Sequence, residues 1–250
     1  MLQLTIPAVD RHRVFLSDFS AYGHIARITI NLKLVQIEAS KRVNAPRPEL
    51  EEYLRLAEED IRKVEQKSVS IVQAYKNRGL IKSFRADLTE DPQLKAQLLI
   101  EERAEYAEAE DARNTSNEQM GDVLNNLADS YIREALWREG IGQDDLVPDL
   151  FEKAEVAIIR AINRHRTGAY LITWSQVRLK LTRISTQNDK CDEIIDSLRE
   201  ATHVFQFSEF NDMSVDELLL EMPEFGELEQ ICKEEKGIGR KELKDALRLR

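Results

Sequence analysis

Apolar and small residues recur at alternating spacings of four and three in the stretch 50–75. The residues of this seam are Leu50, Leu54, Ala57, Ile61, Val64, Ser68, Ile71 and Tyr75. Because seven residues make nearly two turns of an α-helix, this spacing keeps these side chains on one line of a single helix. The basic residues and the glycine of Lys76-Asn-Arg-Gly79 predict the end of that helix. The seam therefore predicts either an antiparallel hairpin with the preceding helix or self-association of two copies.

A second helical pattern precedes the seam. Ile25, Ile28, Leu32, Val35 and Ala39 step by three and four within a helix predicted over residues 14–43. Two prolines in the segment 44–48 end it, because proline lacks the N–H group that a continuing helix needs. Residues 2–6 alternate apolar and polar side chains, which is typical of a short strand or a docked extended arm. We expect an N-terminal helical hairpin over residues 1–88, with a hinge at 81–88.

An acidic helix is predicted next, over residues 89–120. Its start is indicated by Thr89-Glu-Asp-Pro92, where acids and a proline occupy the first turn. Residues 101–112 hold six acids and one base. Such a run is typical of a solvated helix face, and a binding face for a basic partner is the alternative. Cap and turn residues at 114–117 predict that this connecting helix ends there.

The composition favours an all-α fold. Only 9 Gly and 6 Pro occur in 250 residues, and 33% of the residues are charged. Few turn-forming residues indicate long helices and short connections. The formal charge of −10 excludes a global attraction to nucleic acid or to an anionic membrane.

Targeting and cysteine signals predict a soluble, cytoplasmic protein with no membrane contact. No apolar run approaches the roughly 20 residues that a membrane span needs. The first residues lack the basic and apolar regions of a secretory signal. Cys191 and Cys232 lie far apart without a CxxC or a Cys/His cluster. This arrangement predicts buried free thiols in a reducing compartment.

The second half of the chain carries two related apolar patterns. The first-helix pattern sets one face from Leu124, Leu127, Ala128 and Tyr131. The second-helix pattern sets one stripe from Phe151, Ala154, Ile158, Ala161 and Ile162. Together they resemble the tetratricopeptide repeat (TPR), whose helices follow W-x2-L-G-x2-Y and A-x3-F. Leu124 stands at the Trp position, Ala128 at the Gly position, and Ala154 with Ile158 supplies the second-helix pair.

A weaker copy of the repeat follows. Its residues are Trp174, Val177 and Leu181 on the first helix, and Ile194, Leu198 and Ala201 on the second. Residues 216–228 resemble the short helices that close such arrays. A regular repeat has 34 residues, and the surplus here predicts a long connection over residues 140–148. We expect TPR-like helices over 121–232 and a basic helix or tail over 233–250, with a generic helical bundle as the alternative fold.

The resemblance implies a groove lined by first-helix residues that holds a peptide or helix of another protein. The residues in the exposed phase of the two predicted first helices are Asn125, Asn126, Asp129, Ser130, Thr173, Arg178 and Lys180. Asparagine side chains at such positions can pair with the main chain of an extended ligand. These residues are the predicted partner-binding set.

Catalytic and metal-binding motifs are missing from the sequence. It contains no GxxxxGK[ST], no GxGxxG after a strand, no HExxH and no GxSxG. Glu200 and His203 form one ExxH pair, whereas a di-iron centre needs two such pairs and further carboxylates. We therefore predict no enzyme activity, no catalytic residue, no metal and no cofactor.

Two functional hypotheses follow from the sequence. The first is a non-catalytic adaptor, scaffold or regulatory subunit that binds another protein. The second is a helical accessory subunit of a nucleic-acid-processing assembly. It would use the basic residues of the tail 236–250 together with Arg11, Arg13, Arg42 and Arg47. The absence of aromatic residues among those bases argues against sequence-specific recognition, so nucleic acid is the less favoured partner.

Overall fold

The structure is a computed structural model. It describes residues 21–41, 47–66, 71–112, 115–165, 167–184, 191–192, 195–196, 199 and 224–248. Nine α-helices and one short 3-10 helix have defined bounds within these ranges, and no strand occurs among the described residues, which confirms the all-α class. The chain divides into two compact units, Met1–Thr115 (unit 1) and Ser116–Arg250 (unit 2).

The helices are named here in chain order. Unit 1 contains α1 (Ala21–Lys41), α2 (Arg47–Gln66), α3 (Ile71–Leu88) and α4 (Pro92–Asp111). Unit 2 contains α5 (Asn117–Gly140), a 3-10 helix (Asp144–Leu146), α6 (Val147–Arg164), α7 (Gly168–Ile184), α8 (Glu224–Lys236) and α9 (Arg240–Arg248).

In unit 1, each helix packs against the helix that follows it in sequence. The core between α1, α2 and α3 is built from aliphatic side chains, namely Ile28, Leu32, Val35, Leu50, Leu54, Ala57, Ile61, Val64, Ala74 and Ile81. The predicted packing of the seam helix on the helix before it is therefore confirmed for the seam residues up to Val64.

The predicted helix end at Gly79 and the hinge after it are wrong. The seam residues 50–75 do not share one helix as predicted, because α2 ends at Gln66 and α3 runs from Ile71 through Gly79 to Leu88, and Ile71 is 46% exposed. Gly79 faces the ring of Tyr106 on α4, and a Cβ on Gly79 would lie 2.3 Å from Tyr106 Cε1. The glycine therefore permits a close helix contact, and it does not cap a helix.

Helix α4 begins where its sequence predicts. Asp91 caps it, because its Oδ1 accepts hydrogen bonds from the N–H groups of Gln93 (2.9 Å) and Leu94 (3.3 Å). Pro92 occupies the first turn, where its missing N–H has no helical partner to lose. The predicted start at Thr89–Pro92 is confirmed.

The acidic face of α4 is only partly solvated. Glu105 Oε2 accepts a hydrogen bond of 2.8 Å from Arg78 on α3, and Glu101 pairs with Lys82 one turn further along. Glu102 is fully buried and accepts a hydrogen bond of 3.2 Å from the hydroxyl of Tyr106. The expectation of a solvated face holds for Glu108 and Asp111, which are exposed, but not for Glu102, and Glu101 and Glu105 also serve as partners for basic residues of α3.

Helix α3 also binds acidic residues of α2. Arg78 pairs with Glu65, and Arg85 donates to Glu58 (2.5 Å) and Glu51 (3.3 Å). We call the contacts of Arg78, Lys82 and Arg85 the α3 ion pairs. They place one basic helix between two acidic helices.

In unit 2, α5 packs against α6, and α6 packs against α7. Ser116 caps α5 through a capping box. Its Oγ accepts a hydrogen bond of 3.1 Å from the N–H of Gln119, and its own N–H donates to Gln119 Oε1 at 3.4 Å. The break predicted at residues 114–117 is thereby confirmed.

The connection between α5 and α6 is shorter than predicted. Helix α5 continues to Gly140, and Val147 and Pro148 already form the first turn of α6. Six residues remain, and the chain leaves α5 at Gly142, whose φ of 73° suits a residue without a Cβ. The separation between the two apolar patterns comes mainly from the length of α5, which has 24 residues.

The cysteines form a disulfide. Cys191 and Cys232 are bonded, with their Cα atoms 4.9 Å apart, and both residues are fully buried. The prediction of free thiols is wrong, because the fold brings together two residues that are 41 positions apart. The cytoplasmic location stays a prediction, without the support of free thiols.

Several predicted features lie outside the described residues. They are the arm at residues 2–6, the seam residue Ser68, the pair Glu200 and His203, the positions Ile194, Leu198 and Ala201, residues 216–223, and Arg11, Arg13 and Arg42.

Candidate functional site

The site predicted for a partner lies on α5 and α7. Both helices pack around α6, whose stripe residues Phe151, Ala154, Ile158 and Ala161 are all buried. Trp174 and Val177 of α7 are buried in the same apolar cluster. The buried apolar faces predicted for α6 and α7 are confirmed.

Small residues permit close packing at this core. Ala128 on α5 and Ala154, Ala157 and Ala161 on α6 are at most 2% exposed. Because the alanine side chain is small, two helices can approach closely at these positions. The larger side chains then interdigitate on either side. The arrangement fixes the orientation of α5 and hence of the polar side chains on it.

A glycine and a tyrosine join α5 to α7. The Tyr170 hydroxyl donates a hydrogen bond of 2.7 Å to Asp122 Oδ1, and its ring covers Gly121, where a Cβ would lie 2.9 Å from Tyr170 Cε2. Burial, and then the hydrogen bond to Asp122, raises the pKa of Tyr170, so its hydroxyl stays protonated as a donor. We call this contact the Tyr170 clasp.

The four predicted residues of α5 differ in accessibility. Asn125, Asn126 and Asp129 are half-buried, whereas Ser130 is fully buried. Asn125 lies one helical turn beyond Gly121 of the Tyr170 clasp. The half-buried residues thus form a short polar row, and Ser130 presents no side-chain surface to a partner.

Asp129 is the single acid of this row, and its pKa is shifted. Burial raises the pKa of its carboxyl to about 6, against a smaller opposing effect of Arg133. The carboxyl therefore changes charge near neutral pH. A donor from a ligand would find an unusually basic carboxylate there.

The three predicted residues of α7 have different roles. Thr173 is buried, and its hydroxyl donates to the Ala169 carbonyl of the same helix at 3.2 Å. Arg178 donates to Glu155 on α6 at 2.9 Å. Lys180 is half-buried. Thr173 and Arg178 are thus engaged with α7 and α6.

Sequence reasoning missed the residues that fasten the site. The Tyr170 clasp joins residues 48 positions apart, and no periodic pattern signals such a pair. The sequence did contain one signal, a glycine at position 121 inside a helical pattern. Such a glycine often marks a place where a neighbouring chain segment packs closely against the helix.

The basic tail is partly paired within the chain. Lys236 pairs with Asp192, and Arg240 lies 3.8 Å from Glu229. Leu243 of α9 is fully buried. Within the described ranges, no group of three or more His, Cys, Asp or Glu residues is arranged to hold a metal ion. None of the described helices is both long enough and apolar enough to cross a membrane.

Comparison with protein-family models, with curated proteins and with solved structures gives no match for this chain.

Proposed function

We propose that this protein is a non-catalytic interaction module, an adaptor, scaffold or regulatory subunit, that binds another protein along α5. The polar row of Asn125, Asn126 and Asp129 carries the proposal. It is partly accessible, it includes a carboxyl with a raised pKa, and it stands on a helix that the buried core of unit 2 holds in place.

The chemistry of the row favours an extended peptide segment as the ligand. The Asn126 side chain offers a carbonyl acceptor and an NH₂ donor, which match the N–H and C=O groups of a peptide main chain, whereas the side-chain oxygen of Asn125 is buried and is not offered to a ligand. Asp129 adds an acceptor for a main-chain N–H or a basic side chain. Lys180 on α7 is a further half-buried polar residue that we include among the contacts.

Preorganisation supports the same proposal. Ala128 packs on the face of α5 that meets α6, and the Tyr170 clasp fastens the start of α5 to α7. Because these contacts fix the helix before any ligand arrives, little conformational entropy is lost from α5 when a ligand binds.

Affinity capture with the tagged full-length chain tests the proposal. Three tagged proteins are compared as baits in an extract of the organism's own cells. They are the wild type, the double variant Asn126→Ala/Asp129→Ala, and a control, Glu152→Ala/Val156→Ala. The control changes two exposed residues of α6, and Val156 is 60% exposed. Circular dichroism confirms that all three are equally helical.

We expect the wild type and the control to capture the same partner protein in similar amounts. The double variant should capture about tenfold less of it, or less still. Two lost hydrogen bonds of about 1 kcal/mol each account for that loss. Equal capture of the same proteins by the double variant and the wild type would rule out the polar row as the binding site.

The nucleic-acid hypothesis is not advanced as a second function. Two of the tail bases on which it depends, Lys236 and Arg240, form ion pairs inside unit 2. Binding of nucleic acid at low salt that weakens steeply with added salt would reopen it.

A further inference from the structure

Three contacts fasten residues 191–192 to one face of α8. Cys191 is disulfide-bonded to Cys232, and the N–H of Cys191 donates to Glu235 Oε2 at 2.9 Å. Lys236 forms an ion pair with Asp192. Cys232, Glu235 and Lys236 are spaced three and four residues apart, so they share one side of the helix.

The covalent bond dominates these contacts. The Lys236–Asp192 ion pair is solvent-exposed and contributes little, and the hydrogen bond from Cys191 to Glu235 is part-buried but not covalent. Cys232 is the one buried residue among the described side chains of α8, which are those of residues 226 and 229–236. Helix α8 also packs against α7, so the bond acts together with that contact.

We propose that the Cys191–Cys232 bond is a redox-controlled latch that holds α8 on residues 191–192 and releases it when the bond is reduced. A dithiol is the class of reductant that the step requires. One of its thiolates attacks a cysteine sulfur and forms a mixed disulfide, and its second thiolate then displaces the protein sulfur. The dithiol ends as a cyclic disulfide, and Cys191 and Cys232 each take one proton and together two electrons.

Burial of the sulfurs sets how the latch opens. Both cysteines are 0% exposed, so a dithiol reaches them only after α8 has opened locally. The bond also closes a loop over 41 positions. Loop closure of that size favours the attached state by roughly a hundredfold to a thousandfold relative to the reduced chain.

Hydrogen exchange of the full-length chain tests the latch. The protein is equilibrated with oxidised glutathione, and half of it is then reduced with dithiothreitol. Alkylation with N-ethylmaleimide after denaturation counts the free thiols in each half. Exchange is followed in peptides from α8 and, as the internal reference, in peptides from α6.

We expect no free thiol before reduction and two after it. Exchange in α8 should accelerate at least tenfold on reduction, while exchange in α6 changes less than threefold. The double variant Cys191→Ser/Cys232→Ser should match the reduced wild type, and the variant Glu235→Ala/Lys236→Ala should stay within threefold of the oxidised wild type.

Three results would overturn the latch. Two free thiols after equilibration with oxidised glutathione would refute the pairing. Unchanged exchange in α8 on reduction would show that other contacts hold the helix. Equal acceleration of α6 and α8 would show that the bond stabilises unit 2 as a whole. If the double cysteine variant fails to fold, the dithiothreitol-treated wild type decides between these results.

Discussion

Both units have a buried apolar core, and they differ in the contacts that accompany it. In unit 1, the α3 ion pairs join α3 to both neighbouring helices, and Arg27 and His24 of α1 contact the buried Asp60 of α2. In unit 2, alanines on α5 and α6 let an apolar core close tightly. Both units also place a glycine under a tyrosine ring, at Gly79 with Tyr106 and at Gly121 with Tyr170.

The difference teaches where each unit is vulnerable. Close apolar packing tolerates no added volume or charge, because the core cannot expand without losing contacts. Ion pairs on partly exposed helices tolerate added volume and respond to charge, salt and pH. Buried positions of either unit should therefore be sensitive to added volume or charge, whereas the α3 ion pairs of unit 1 should respond to charge reversal and to salt.

The largest expected effect is in the core of unit 2. Ala154→Arg places a long charged side chain at a fully buried position of α6, which should cost more than about 4 kcal/mol and unfold the helices of unit 2. Hydrogen exchange should show lost protection in α5 and α6, with α2 and α3 retained.

The matched control is Val156→Arg, two residues along the same helix and 60% exposed, which should change stability by about 0.5 kcal/mol or less. A native melting curve for Ala154→Arg would contradict the packing described for α6.

The glycine–tyrosine contacts sharpen the comparison. Gly79→Ala should destabilise unit 1 by about 2 kcal/mol, because the new Cβ would lie 2.3 Å from a ring that is itself buried. Gly121→Ala should cost less, since its nearest ring atom is 2.9 Å away. Chemical denaturation of each variant gives the cost.

Gly140→Ala serves as the control, because nothing lies within 4 Å of its added Cβ, and it should be neutral or slightly stabilising. In a double-mutant cycle, Gly79→Ala combined with Tyr106→Ala should cost less than the sum of the single changes. Strict additivity would show that Gly79 and Tyr106 do not constrain each other.

Charge reversal at the α3 ion pairs of unit 1 has the smallest of these effects. Arg85→Glu places a third acid beside Glu51 and Glu58 and should cost about 1 kcal/mol at low salt. The cost should shrink in about 1 M salt, where the Debye length is about 3 Å. Urea unfolding at the two salt concentrations measures it.

Lys153→Glu, which reverses an exposed charge next to Asp149 in unit 2, is the control and should cost about 0.5 kcal/mol or less. A cost for Arg85→Glu that is the same at both salt concentrations would contradict an electrostatic origin.

Local patterns predicted much of this fold. The stripe of α6, the seam of α2 up to Val64, and the caps of α4 and α5 all depend on residues within a turn or two of one another. Helical spacing and cap chemistry are visible at that range.

Long-range contacts could not be predicted in the same way. Gly79 resembled a helix end in the sequence. The contact that requires a glycine there is with the ring of Tyr106, which lies 27 positions away. The Tyr170 clasp and the Cys191–Cys232 bond span still longer separations. For the candidate site, helical phase placed Asn125, Asn126 and Asp129 at partly accessible positions, but phase alone could not distinguish them from the buried Ser130 and Thr173.

The response to acid tests the contrast between the two units most directly. The hydrogen bond from Lys82, with that from Gln97, lowers the pKa of Glu101 in unit 1. Its contribution to stability is present above the ordinary value of 4.5 and is lost as the pH falls below that value. Burial raises the pKa of Asp129 in unit 2 from 3.8 to about 6. As the pH falls, the folded state therefore binds a proton at Asp129 at a higher pH than the unfolded state does. Unit 2 gains stability as the pH falls from about 6 towards 3.8.

The measurement is hydrogen exchange in peptides of α3 and α4 and in peptides of α5, from pH 7.5 to pH 3.5, corrected for the intrinsic exchange rate at each pH. Protection of α5 should rise by about 1 kcal/mol between pH 7 and pH 4, after allowance for the partial exposure of Asp129, and Asp129→Asn should abolish this rise. Protection of α3 and α4 should stay level to about pH 4.5 and then fall. Parallel curves for the two units, or a rise in α5 that persists in Asp129→Asn, would contradict the account.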